Sequence, residues 1–112
     1  PLPLPMPRDR RLLRLCAMVQ EDLAASHSRE HYAARVGLSP RSLTRLFRLE
    51  TGMGFVEWRQ KARLLAALPR LGAGESVTDV ALALGYGSPS AFAAMFRRVL
   101  GITPRASVRS AG

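Results

Sequence analysis

The sequence predicts an all-α fold built as a tandem pair of helix-turn-helix units, and two observations carry that expectation. The first is residues 32–52, YAARVGLSPRSLTRLFRLETG, where apolar Ala33 and Val36 close one short helix, Gly37 supplies a sharp turn, and Ser39-Pro40 opens a second helix. Ser39 is the expected N-cap and Pro40 the first helical residue. The second is that this pattern returns about 48 residues later. In ALALGYGSPSAFAAMFRRVLG, residues 81–101, Gly85 answers Gly37, Ser88-Pro89 answers Ser39-Pro40, Phe96 answers Phe47, and Gly101 answers Gly52, with Gly87 inserted in the second turn. A repeat at that many restricted positions marks two copies of one supersecondary unit.

Helical spacing divides the second helix of the first unit into two faces. Leu43, Leu46, Phe47 and the stem of Glu50 fall on the side that packs; Arg41, Thr44, Arg45 and Arg48 fall on the other, left for a partner. In the repeat, Leu43 and Leu46 become Phe92 and Met95.

The flanking elements follow in order. Residues 1–7, PLPLPMP, alternate proline with apolar residues and favour extended chain, the signature of a linker remnant. A first residue other than methionine suggests a fragment of something longer, with a sensing or oligomerising part upstream. From about residue 9 to 25, Leu12, Leu15, Cys16, Val19 and Leu23 recur at three- and four-residue steps, predicting an amphipathic helix that covers the first unit's core. Ser28 is the expected N-cap of the next helix. His27 and His31 stand four apart, but His27 precedes that cap and no further ligand is near, so a metal site is not expected. FVEWRQKARLLAAL, residues 55–68, predicts a strong connecting helix with Phe55, Trp58, Ala62, Leu65 and Leu68 on its apolar side. Trp58 reads as core. Pro69 removes a backbone donor and is expected to end or kink this helix, with LGAGE as a loop beyond it. Ser76-Val77-Thr78-Asp79 has the form of a capping box opening a helix to Leu84. The resulting division is 1–7 linker remnant, 8–53 first helix-turn-helix subdomain, 54–71 connector helix and 72–112 second subdomain.

Composition narrows the function. A chain of 112 residues bounds the answer to one domain or two very small ones. Its net charge of +9 favours a polyanionic partner, nucleic acid ahead of an acidic membrane. Sixteen of the seventeen cations are arginine and only Lys61 is lysine, a bias that a GC-rich genome also produces, so charge alone does not decide. The one cysteine, Cys16, cannot form an internal disulfide and lies on an apolar helix face. No apolar run approaches the ~20 residues of a membrane span and no secretory signal is present, so a cytoplasmic location is expected. GAGESV lacks the lysine of a phosphate-binding loop, and GYGSPS is not a Gly-x-Ser-x-Gly nucleophile elbow. Neither an enzyme nor a cofactor is expected.

GLSPRSLTRLFRLETGMGF, RLLAAL and VALALGYGSPSAFAAMFRRVLGITP together resemble the DNA-binding region of the AraC/XylS family of bacterial transcription regulators. The resemblance covers residues 9–108, including the Glu50-Thr51-Gly52 and Gly101-Ile102-Thr103-Pro104 ends. It implies an all-α, seven-helix domain, two helix-turn-helix units joined by a long connector helix, at the C-terminus of a larger regulator, usually an activator. RNA polymerase and an upstream effector-binding or dimerisation domain are then expected partners besides double-stranded DNA.

The expected mechanism places the two recognition helices in successive major grooves, about 34 Å apart along the duplex. Arg41 and Arg45 can each offer a bidentate pair to guanine, worth about 1–3 kcal/mol of discrimination, with Thr44 beside them for a base edge or a thymine methyl. Arg48, Ser39 and Ser42 are expected on phosphate, as is Ser88, the second unit's counterpart of Ser39. The second helix differs: Ser90, Ala93 and Ala94 replace Arg41, Thr44 and Arg45, and Arg97 and Arg98 follow as phosphate clamps. Base readout is therefore expected mainly through the first unit. The alternative is a non-specific basic nucleic-acid-binding module, for which the bland second helix is the best argument.

Overall fold

The computed structural model describes residues 4–111. Seven helices follow one another without a strand among the described residues: α1 (Arg10–Glu21), α2 (Arg29–Val36), α3 (Pro40–Thr51), α4 (Phe55–Gly72), α5 (Val77–Ala83), α6 (Pro89–Leu100) and α7 (Pro104–Ala111). The chain divides into two compact units between Ala62 and Arg63, within α4.

In the first unit, periodic apolar residues from four helices meet in one core. α1 contributes Leu12, Leu15, Cys16 and Val19, α2 contributes Tyr32, Ala33 and Val36, α3 contributes Leu43 and Phe47, and α4 contributes Phe55, Trp58 and Ala62. Phe47 meets Phe55 and Trp58 edge to face, at 5.7 and 5.8 Å between ring centroids, and Tyr32 meets Phe55 at 5.4 Å. Such pairs add about 0.5–1.5 kcal/mol each to the burial of their rings. Trp58, as expected of core, is fully buried, and its indole Nε1 donates to the Pro5 carbonyl at 2.8 Å.

In the second unit, Leu64, Ala67 and Leu71 of α4 are buried, as are Val80, Ala81, Leu84, Phe92, Met95 and Phe96. Tyr86 and Phe96 both pack edge to face on Phe92. Arg63 is buried to 7% exposure, its guanidinium stacked 5.5 Å from the Tyr86 ring centroid.

The helix starts follow the sequence closely. Ser28, Ser39, Ser76 and Ser88 each accept, through Oγ, the backbone N–H three residues on, at 3.1, 3.1, 3.0 and 3.2 Å. These serines satisfy donors that the first helical turn leaves unpaired. Gly37 and Gly85, the paired turn glycines, have φ of 77° and 89°, the left-handed region that an L side chain adopts only under strain.

Four features differ from the sequence expectation. Of the α4 residues expected on the apolar side, Leu65 and Leu68 are half-buried, and Leu64, Ala67 and Leu71 are buried instead. α1 stops at Glu21 rather than near residue 25: Asp22 leaves helical geometry at φ −144°, ψ 76°, and its N–H turns back to the Val19 carbonyl. Leu23 continues the apolar spacing and still packs on the core, but from the following turn. Pro69 neither ends α4 nor opens the loop, because α4 runs through it to Gly72. In the last turn a missing N–H removes one hydrogen bond. Beyond it the helix end is closed by Ala73, Gly74 and Glu75, whose N–H groups donate to the carbonyls of Pro69, Leu71 and Arg70. Glu50, whose stem was expected on the packed face, is exposed, and its carboxylate closes the start of α1 instead, accepting the N–H groups of Arg8 and Asp9 at 2.7 and 2.9 Å.

Of the proline-rich stretch, residues 1–3 lie outside the described residues. Residues 4–7 have no regular structure, yet Pro7 is buried and Leu4 packs against the first core.

Candidate nucleic-acid interface

α3 presents its polar side as the sequence expects. Leu43 and Phe47 point into the core, Leu46 is half-buried at its edge, and Arg41, Arg45 and Arg48 are exposed. An open cleft on this face is lined by Ser39, Pro40, Arg41, Thr44 and Arg45, and by Arg29 reaching over from α2. Arg48 lies in a neighbouring cleft with Gly54, Phe55, Val56, Glu57 and Gln60, again sharing Arg29 and Thr44. Ser39 uses a lone pair on the Ser42 N–H, which leaves its hydroxyl proton available to an acceptor such as phosphate. The half-buried Ser42 sits on the same first turn.

Thr44 is more constrained than its sequence position suggests. Its Oγ1 donates to the Pro40 carbonyl at 3.0 Å and accepts from Arg29 Nη1 at 2.9 Å. A hydroxyl has one proton. With that proton committed to the backbone, Thr44 offers a partner its methyl group and a remaining lone pair, which suits a thymine methyl better than a base acceptor. Of the arginines lining this face, Arg29 is the one that donates to a side chain of α3.

In the second unit, α6 opens on Ser88, whose hydroxyl caps the helix, and Ser90 and Ala93 line a cleft with Val77, Thr78, Pro89, Thr103, Pro104 and Arg105. Ala94, Arg97 and Arg98 are exposed along the same helix. The positions equivalent to Arg41, Thr44 and Arg45 carry no guanidinium here, and the cations stand in the last turn, where they also complement the helix's negative end.

Sequence reasoning missed Arg29. The repeat held the signal: counted from the capping serines, Arg29 corresponds to Val77 and Thr44 to Ala93, so two positions in contact differ together between the units. His27 and His31, set aside as a metal pair, stack at 4.0 Å between ring centroids beside Tyr32. Among the described residues no group of three or more His, Cys, Asp or Glu is placed to hold a metal ion, and no helix is long and apolar enough to cross a membrane. Burial pushes the Cys16 thiol up to about 12, so it carries no charge near neutrality.

Comparison with known proteins identifies this architecture. A family described as "Helix-turn-helix domain" matches residues 32–110. The regulator NimR of Escherichia coli K12 is 45% identical over 73 residues, 65% of this chain and 27% of that protein. Among solved structures, a regulator from Chromobacterium violaceum described as containing an AraC-type DNA-binding domain superposes with a TM-score of 0.81 at 27% identity, covering 88% of this chain and 89% of that one. The DNA-binding domain of AdpA, solved with a target DNA, superposes with a TM-score of 0.83 at 34% identity, over 91% and 93% of the two chains. The chain spans 27% to 35% of the length of the curated relatives NimR, RipA and RhaS. The seven helices, the two capped helix-turn-helix units and the match over most of its length place this chain in the AraC-type family of helix-turn-helix DNA-binding domains.

Proposed function

We propose that this chain is the part of a bacterial transcription regulator that reads a specific DNA site, and that most direct base readout passes through α3. The observation that carries the reading is the contrast between the recognition faces. α3 exposes Arg41 and Arg45 on either side of Thr44, whereas α6 carries Ser90, Ala93 and Ala94 at those positions. Arginine is the side chain that pairs bidentately with guanine O6 and N7, while alanine can only touch a thymine methyl. Ser39, Ser42 and Arg48 on one unit, with Ser88, Arg97 and Arg98 on the other, then supply phosphate contacts that fix register. Specific rather than merely electrostatic binding is supported by the related AdpA domain, which was solved on a target DNA.

The relatives are regulators roughly 2.4 to 3 times as long as this chain, which supports a further domain for effector binding or dimerisation. Contact with RNA polymerase belongs to the same reading, since the related RhaS is named an activator.

Selection of bound sites from a random duplex library, at two salt concentrations, tests the proposal. An enriched asymmetric motif with one sharply defined half is expected. Salt-sensitive binding with no motif would overturn it in favour of non-specific backbone binding.

A further inference from the structure

Arg29 opens α2, the first helix of its helix-turn-helix, yet its side chain ends on α3. Nη1 donates to Thr44 Oγ1 at 2.9 Å, and the residue lines both clefts on either side of Thr44, one with Arg41 and Arg45 and the other with Arg48. Its nearest acid, Glu30, lies 3.6 Å from Nη2 across an exposed pair, with side chains 47% and 62% accessible, a geometry that holds a guanidinium weakly. The Thr44 bond therefore sets its position, and Thr44 can serve because its own proton is spent on the Pro40 carbonyl. A guanidinium has five N–H donors in a planar fork. Fixing one on Thr44 leaves the others orientated for an anion.

We propose that Arg29 is a DNA-phosphate clamp, held in place by Thr44, at the edge of the groove that α3 enters. This rests on the reading of α3 as the recognition helix. Phosphate is the fitting partner because the first helix of such a unit crosses the sugar-phosphate backbone while the second reaches the bases. Arginine on phosphate is also a forked, charge-assisted match. The second unit lacks the device: its equivalents are Val77 and Ala93, neither with a polar side-chain atom, in one cleft. Position 44 then acts in the first unit as a buttress for a phosphate contact, with Arg41 and Arg45 left to read bases.

The test is binding of this chain to a duplex carrying its selected site and to an unrelated duplex, between 50 and 200 mM salt, for wild type, Arg29→Ala, Arg29→Gln, Thr44→Val and the double variant Arg29→Ala/Thr44→Val. Thermal melting confirms that each variant is folded, and Arg29→Gln removes the charge while keeping a polar side chain. Arg29→Ala and Arg29→Gln are expected to weaken both duplexes by a similar factor, roughly tenfold, and to lower the slope of log K against log salt by about one. Thr44→Val should weaken binding less, and should add little once Arg29 is gone. An unchanged salt slope in both Arg29 variants of a wild type that binds would overturn the clamp alone. So would weaker binding to the selected site alone, with binding to the unrelated duplex unchanged. Failure of the wild type to bind either duplex would instead overturn the proposed function, and the clamp with it.

Discussion

Glu50 Oε1 accepts the backbone N–H of Asp9 at 2.9 Å, and that of Arg8 at 2.7 Å, so the last turn of the recognition helix α3 also closes the entry to α1. A carboxylate bonded to two N–H groups is a charge-assisted cap, and here it joins residues about forty apart in sequence. Glu50→Ala is expected to destabilise the first unit by about 1–2 kcal/mol, the lower part of the range for charged hydrogen bonds because the site is exposed. Glu50→Gln, which keeps an acceptor oxygen, should lose less than half of that. Urea unfolding of the three proteins checks the order; equal loss in both variants would mean that the negative charge, not a neutral acceptor oxygen or the stem, matters.

The turn glycines can be told apart from the inserted one. Gly37 sits at φ 77° with open space where a side chain would go, so Gly37→Ala meets backbone strain and no clash. A loss of about 1–2 kcal/mol is expected. Gly87 also faces open space, without a left-handed φ, and Gly87→Ala should be neutral or stabilise by up to about 1 kcal/mol through the unfolded chain. Melting temperatures of the two variants should move in different directions, or the second should not move at all.

Acid should act on the start of α1. The Arg11 side chain, bonded to the carboxylate, together with the N–H groups of Arg11 and Leu12, holds Asp9 down at about 2, below its ordinary 3.8. A depressed folded value means that the contribution is fully present above about 3.8 and is lost as pH falls towards 2. Glu75, lowered by its hydrogen bonds to Arg70, acts in the same direction on the loop after α4. Melting temperature followed from pH 5 to pH 2 should fall less steeply in Asp9→Asn than in wild type. Parallel curves would remove Asp9 from the account.

Cys16 gives a chemical readout of the first core. With its thiol raised to about 12 by burial, it should resist a thiol-alkylating reagent at pH 8 while the chain is folded and react fully in denaturant. Because the folded value is raised above the ordinary 9.0, stability should decline as pH rises past about 9, where only the unfolded thiol ionises. Cys16→Ala should remove that decline.

Much of this fold is legible in the sequence because its punctuation is local. A serine three residues ahead of the N–H it caps, a proline at the first helical position and a glycine at a positive φ each act within one turn, and every capping serine expected from sequence accepts the bond expected of it. The repeat supplied the architecture, since two units that match at Gly37/Gly85 and Phe47/Phe96 are each expected to build the same kind of core. What escaped was set by long-range pairing. Leu23 satisfies helical spacing from a turn, because apolar contact does not require the helix to continue past Asp22. Glu50 and Arg8, Trp58 and Pro5, and Arg29 and Thr44 meet only in the folded chain. Pro69 does not end α4, because its missing N–H falls in the last turn of the helix, where few bonds remain to be lost. On the candidate face, helical spacing was enough to bring out Arg41, Arg45 and Arg48, but the use of the Thr44 proton was invisible.

The asymmetry of the two recognition faces is tested most directly by measuring affinity for a panel of duplexes carrying every single-base change in the selected site, for wild type, Arg45→Ala and Ala93→Gln. Arg45→Ala should flatten the preference at one or two adjacent base pairs in one half, by about 1–3 kcal/mol, and leave the other half unchanged. Ala93→Gln should erase no existing preference. Equal loss of preference from altering either helix would contradict a domain that reads its site mainly through α3.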